Sequence, residues 1–124
     1  MTLRPILLAA LTVAATLIPV SGALAFRGNN FQSPTGNIVC RYDARNAVMA
    51  CLTRNDNFTA AVSLWGRSYK TNGGSFRGGP VLRYGHVWTA NRRFRCWSRT
   101  SGMTCRSVKT GHGFFISRTS YRLF

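Results

Sequence analysis

The chain opens on an apolar run, Ile6 to Val20, broken only by Thr12, Thr16 and Pro19. Beyond it, no segment sustains an apolar period of 3.6 residues. Short stretches rich in β-branched and aromatic residues recur instead between turn-forming clusters, which predicts a mostly β protein. Ile38 to Tyr42 and Val48 to Thr53 flank Asp43-Ala44-Arg45-Asn46, while Arg92 to Ser98 and Met103 to Val108 flank Arg99-Thr100-Ser101-Gly102. Each pair reads as an antiparallel hairpin, with Gly102 able to take the left-handed conformation of a tight turn. Alternation along a strand puts Phe94, Cys96 and Ser98 on one face and Arg93, Arg95, Trp97 and Arg99 on the other. Phe58 to Trp65, Val81 to Trp88, Gly113 to Ser117 and a short Tyr121 to Phe124 tail are further strand candidates. Phe58 to Trp65 alternates poorly and is also compatible with a helical turn. Asn72 to Pro80 holds four glycines and a proline in nine residues and reads as a connection. It lacks the lysine and following helix of a phosphate-binding loop.

The initial apolar run has the form of a targeting segment. Met1 to Arg4 supplies a short, singly charged start, Pro19 breaks the run, and Ala23-Leu24-Ala25 fits the small-residue pattern of a signal peptidase site. We expect cleavage after Ala25. An uncleaved anchor needs about 20 apolar residues, more than the run before the Pro-Ser-Gly break offers. Residues 26–124 then form one exported domain, periplasmic or secreted, with no remaining segment long and apolar enough to span a membrane. Removing 25 of 124 residues leaves 99, and the loss of Arg4 changes the charge from +15 to +14.

Export alters the meaning of the four cysteines, because disulfides persist outside the cytoplasm. The spacings Cys40-x10-Cys51 and Cys96-x8-Cys105 lack the C-x2-C element of a zinc site, and His86 and His112 are too far apart for a paired-histidine ligand set. Of three possible pairings, Cys40 with Cys51 and Cys96 with Cys105 suits the two hairpins. Each staple is worth roughly 2–3 kcal/mol in a chain-entropy account, a useful share for a domain of this size. The resulting expectation is a small antiparallel sheet, sandwich or barrel with two disulfide-stapled hairpins. The halves do not align beyond their cysteine spacing, so internal duplication is set aside.

Phe31-Gln32-Ser33-Pro34-Thr35-Gly36-Asn37-Ile38-Val39-Cys40 resembles the opening motif, roughly F-x-S-P-S/T-G-N-I-x-C, of a family of small exported bacterial proteins without an assigned activity. Tyr84-Gly85, Phe94-Arg95-Cys96, Gly102-Met103-Thr104-Cys105, Gly111-His112-Gly113-Phe114-Phe115-Ile116-Ser117-Arg118 and the closing Tyr121-Arg122-Leu123-Phe124 resemble the rest of its signature. Arg92-Arg93 stands where a glycine is expected, and Arg106-Ser107 where Thr-Asn is common, so this chain is more basic than the pattern. The resemblance implies export and a disulfide-linked domain, and no activity. In physical terms, Ser33 to Asn37 pre-sets a turn through the fixed proline φ and the permissive glycine. Gly111-His112-Gly113 reads as a tight turn feeding the last strand, with Phe114 and Ile116 pointing one way and Phe115 the other; His112 is then a structural hydrogen-bonding group or, alternatively, a binding imidazole.

Composition narrows the chemistry. Seventeen Lys and Arg stand against two acids, Asp43 and Asp56. A carboxylate pair for glycoside hydrolysis, or oxygen ligands for a hard metal, is thus hard to assemble, and we expect no metal and no cofactor. Oxidised cysteines and the absence of a G-x-S-x-G elbow argue against a covalent nucleophile. An acid/base hydrolase acting on RNA through His86 and His112, with an arginine such as Arg118, is one alternative. An inhibitor or interaction module for an acidic exported protein is another. The strongest signal is the interleaving of arginines with aromatics: Trp88, Arg92, Arg93, Arg95, Trp97, Arg99, Arg106, His112 and Arg118 form a candidate anion-binding set. A charge this one-sided repels itself unless an anionic partner offsets it. The expectation is therefore a non-enzymatic binder of an anionic polymer or membrane surface: lipopolysaccharide, a wall polymer or extracellular nucleic acid. Asn57-Phe58-Thr59 matches a glycosylation sequon and is treated as chance.

Overall fold

The computed structural model describes residues 29–124, and the expected targeting segment and its cleavage site lie outside them. The described chain is entirely β, in ten strands: β1 Asn30–Gln32, β2 Ile38–Asp43, β3 Val48–Thr53, β4 Phe58–Ser63, β5 Ser68–Asn72, β6 Val87–Ala90, β7 Phe94–Arg99, β8 Gly102–Ser107, β9 Gly113–Ile116 and β10 Tyr121–Leu123. Strands β1 to β5 form one antiparallel meander in chain order, and β6 to β10 form a second. No helix long and apolar enough to cross a membrane occurs among the described residues.

The two sheets pack inner face to inner face over one core. Ile38, Cys40, Tyr42, Met49, Cys51, Phe58, Ala60 and Val62 meet Trp88, Phe94, Cys96, Met103, Cys105, Phe114 and Ile116. Both hairpin staples form as the spacing implied. Cys40 pairs with Cys51 across β2 and β3, Cys96 with Cys105 across β7 and β8, and each is a disulfide. Tyr42 packs edge-on against Trp88 and Phe94, with ring centroids 5.6 and 5.7 Å away. Two buried hydroxyls tie the sheets together. Thr53 Oγ1 donates to the Arg118 carbonyl at 2.8 Å, and Ser107 Oγ to the Leu64 carbonyl at 2.6 Å.

Two expectations are corrected and one choice is decided. Phe58–Ser63, expected as a strand or a helical turn, is the fourth strand, buried on both faces, which is why its apolar residues do not alternate. The Gly-rich connection causes that burial. Thr59 Oγ1 donates to the Gly73 carbonyl at 2.7 Å, and a methyl at Gly74 would sit 2.6 Å from Thr59 Oγ1 and 3.4 Å from Leu52 Cδ1. The loop thus lies against the outer side of the first sheet, and glycine permits the close approach. Val81 to Trp88, by contrast, is not one strand. Val81 makes only a parallel bridge to Gln32, Arg83 to His86 is a turn with Gly85 at φ 82°, and the strand starts at Val87. Lastly, β7 begins at Phe94 rather than Arg92, because Asn91 and Arg92 take positive φ of 38° and 61° in the β6–β7 turn.

Candidate functional site

The outer face of the second sheet gathers much of the predicted cationic set. Strand register aligns two rows across it. One runs Thr89, Arg95, Arg106, Gly113, and the next runs Val87, Trp97, Thr104, Phe115, Arg122. Arg95 and Arg106 are therefore direct cross-strand partners, both exposed. The Arg106 guanidinium stacks over the Trp97 ring, 5.5 Å from its centroid, and Arg122 stacks over Phe115 at 5.7 Å. Glycine shapes this surface as well. A methyl at Gly113 would meet Arg106 Cα and Cβ at 2.8 Å, so the Arg106 stem lies directly across the neighbouring backbone. A groove of about 370 Å³ lined by Thr89, Arg92, Arg95 and the exposed Val108 continues the surface at its β6–β7 end.

Neither acidic side chain competes for these cations. Asp43 Oδ1 accepts the backbone N–H groups of Arg45 and Asn46, and its Oδ2 accepts from the Asn46 amide at 2.8 Å. Those bonds, led by the Asn46 side chain, hold its carboxyl below the usual aspartate range. Asp56 accepts from Asn55 at 2.8 Å. Both acids therefore serve hairpin turns of the first sheet.

The remaining predicted residues fall elsewhere. Trp88 is buried to 1% exposure, with its ring 5.0 Å from that of Phe31, so it supports the core and offers no face to a surface ligand. Arg93 does not share the face of Arg95: its guanidinium crosses to the first sheet and donates to Tyr42 Oη at 3.2 Å and to the Ala44 carbonyl at 3.3 Å. Arg99 and Arg118 both line a separate groove at one end of the sandwich. His112 precedes β9, its carbonyl accepting from the Ser107 N–H, whereas the His86 carbonyl accepts from the Ser98 N–H. Ser107 pairs with Phe94, so the two histidines flank opposite ends of β7, roughly 13 Å apart along the strand. The fold does not bring them to one phosphate.

Phe115 and Arg122 belong to the outer face but were absent from the predicted set. Their signal was available in part, since Phe115 was expected to face away from Phe114 and Ile116; what was missing was the register that sets Arg122 beside it. A further concavity of about 650 Å³, lined by Arg41, Arg45, Arg77 and Asp43, lies between the first hairpin and the Gly-rich loop. Arg77 is distant in sequence from Arg41, Asp43 and Arg45, and only the path of the Gly-rich loop brings it beside them.

Fold and surface together define a small disulfide-bonded β-sandwich with one basic, aromatic outer face. No family model, curated protein or solved structure matches the chain.

Proposed function

We propose that the protein is an exported, non-enzymatic binder of polyanions and that the outer face of the second sheet is its contact surface. The observation that supports this reading is the direct pairing of Arg95 with Arg106, flanked by the Trp97–Arg106 and Phe115–Arg122 stacks. Like charges placed opposite one another on adjacent strands weaken a sheet. Here neither acidic side chain offsets them, so an external anion gains what the fold forgoes. Arginine over an aromatic ring keeps its in-plane donors free for phosphate, sulfate or carboxylate while the ring covers its face. Export is supported by the N-terminal pattern of residues 1–25 and by two disulfides.

The test is a salt-titrated binding series of the oxidised protein against double-stranded DNA, anionic vesicles and an acidic polysaccharide. Neutralising six to ten phosphates lowers affinity by roughly 10³- to 10⁵-fold between 50 and 200 mM salt. Substituting Arg95, Arg106 and Arg122 together by Gln is expected to flatten that dependence. Absent binding, or a salt response unchanged by the triple substitution, removes the outer face from the function.

A further inference from the structure

A groove of about 370 Å³ lies at the end of the sandwich where turns of both sheets converge. Its walls are the Ser33–Asn37 turn, Tyr84, the β7–β8 turn and the turn after β9. Two cations from different elements enter it: Arg99 at the end of β7 and Arg118 just past β9. The frame beneath is hydrogen-bonded. Ser33 Oγ accepts the Ile38 N–H at 3.1 Å, Thr35 Oγ1 accepts the Asn37 N–H at 3.2 Å, and buried Thr53 holds the Arg118 carbonyl.

What the frame leaves over is chemically specific. Neither the Arg99 nor the Arg118 guanidinium has a partner among the described residues, and the hydroxyls of Thr100, Ser101 and Thr119 are likewise uncommitted. Guanidinium groups only donate, in a planar fork suited to an oxyanion, whereas hydroxyls both donate and accept. A ligand that satisfies both carries one oxyanion and several hydroxyl groups. Tyr84, 41% exposed, adds an aromatic wall with a polar tip. The volume lies in the range of small-ligand clefts and is too small for a nucleic acid duplex.

We propose that this groove binds a single acidic sugar unit, a pyranose bearing one carboxylate or phosphate, with Arg99 and Arg118 holding the oxyanion and the turn hydroxyls holding the ring. The site is independent of the outer face, because Arg95, Trp97, Arg106 and Arg122 do not line it.

The experiment is an NMR titration of the isotopically labelled, oxidised protein at about 150 mM salt, where long-range charge effects are screened. Glucuronate and glucose 6-phosphate are the probes, with glucose and acetate as controls. Saturable shifts centred on Tyr84, Thr100, Ser101 and Thr119 with either probe are expected, and the tighter probe identifies the oxyanion. Arg99→Gln and Arg118→Gln are each expected to weaken binding about tenfold or more, the scale of one lost charge-assisted pair. Tyr84→Ala supplies an independent variant should either arginine substitution disturb the fold. Arg95→Gln and Arg106→Gln are expected to leave this titration unchanged. Equal binding of glucose overturns the proposal because the arginines are then unused, and equal binding of acetate overturns it because the hydroxyls are. Absence of saturation with both probes also overturns it, whatever the polyanion series shows.

Discussion

Cys51 Sγ lies 3.7 Å from Cys105 Sγ, although the two cysteines belong to different disulfides on different sheets. All four cysteines are fully buried, and each pair sits directly cross-strand on an inner face. The hairpin staples therefore touch at the centre of the sandwich. Each one fixes the register of its hairpin, and their contact fixes the offset of one sheet over the other.

This contact makes the pairing sensitive to the loss of a single cysteine. In Cys40→Ser the Cys51 thiol is released beside an intact disulfide. As thiolate it attacks Cys105 Sγ, the Cys51–Cys105 bond forms, the Cys96–Cys105 bond breaks, and Cys96 leaves to take up a proton. Burial disfavours the thiolate, so exchange is expected to be faster at higher pH and in mild denaturant. Peptide mapping under non-reducing conditions should recover a 51–105 link in this variant and only 40–51 and 96–105 links in the parent. A variant that retains only the 96–105 link shows the contact to be inert.

Gly102 closes the second hairpin at φ 150°, and a methyl there would meet the Ile116 carbonyl and the Phe115 ring. Gly102→Ala is expected to cost about 2–3 kcal/mol, combining backbone strain with displacement of Phe115. Urea unfolding of the oxidised protein measures it. Gly73→Ala is the control: its φ is also positive, at 76°, but nothing lies within 4 Å, so only the smaller backbone cost of about 1 kcal/mol applies.

The two stapled hairpins were legible in the sequence because alternation and cysteine spacing pointed to the same register. The strands that escaped were those with nothing to alternate. β5, Ser-Tyr-Lys-Thr-Asn, is an edge strand in which none of the five residues is fully buried, and its sequence resembles a loop. β1 has only three residues, too few for alternation to mark it as a strand. In Phe58–Ser63 the failure of alternation was itself the signal of a strand covered on both faces, and the missing fact was that the Gly-rich loop supplies the cover. At the candidate site, period two sorted Arg95 and Trp97 correctly from Phe94 and Cys96. It misplaced Arg93, because a turn with positive φ at Asn91 and Arg92 resets the alternation just before the strand starts. Trp88 illustrates a different ambiguity, since an aromatic between Val87 and Thr89 suits a core and a stacking platform equally until its sheet has a partner.

Arg93 and Arg95 are two residues apart and are expected to respond oppositely to substitution. Arg93→Gln removes donors to Tyr42 Oη and the Ala44 carbonyl, and about 1 kcal/mol of stability is expected to go with them. Arg95→Gln removes an exposed charge opposite Arg106 and is expected to leave stability within about 0.5 kcal/mol or raise it slightly. Polyanion binding should show the reverse order, with Arg95→Gln reducing the salt slope by about one and Arg93→Gln by less. Equal slopes for the two variants contradict the assignment of the outer face.

Asp43 introduces a pH dependence confined to acid. Its carboxyl lies below the ordinary aspartate range because it accepts hydrogen bonds first from the Asn46 side chain, then from the Asn46 and Arg45 backbone, with Arg41 adding attraction. A depressed folded value means that the unfolded chain binds the proton more tightly. The stabilisation is therefore fully present above the ordinary aspartate pKa and disappears as pH falls through the folded value. NMR titration of the Asp43 carboxyl should show the lowered midpoint. In Asp43→Asn the acid-side loss of stability should shrink, because the remaining acidic side chain, Asp56, carries no comparable set of bonds. An unchanged acid limb assigns the dependence to another group.

Ser107 is the position where a single oxygen holds the most structure. Its Oγ donates to the buried Leu64 carbonyl at 2.6 Å and accepts the N–H groups of Lys109 and Thr110 at 3.2 and 3.3 Å. One hydroxyl thus joins the end of β4 on the first sheet to β8 on the second and shapes the turn that leads to His112. Alanine leaves the Leu64 carbonyl without that donor in a site closed to water, a cost of about 1–3 kcal/mol, and releases two turn amides that solvent re-engages more cheaply. Ser107→Ala is therefore expected to lower stability by about 2–3 kcal/mol in urea unfolding with both disulfides intact. Ser117→Ala is expected to lose no more than about 1 kcal/mol, because its bonds to Ser120 are exposed. If the two variants unfold together, the inter-sheet bond contributes little, and the disulfide contact and the core alone hold the sheets in register.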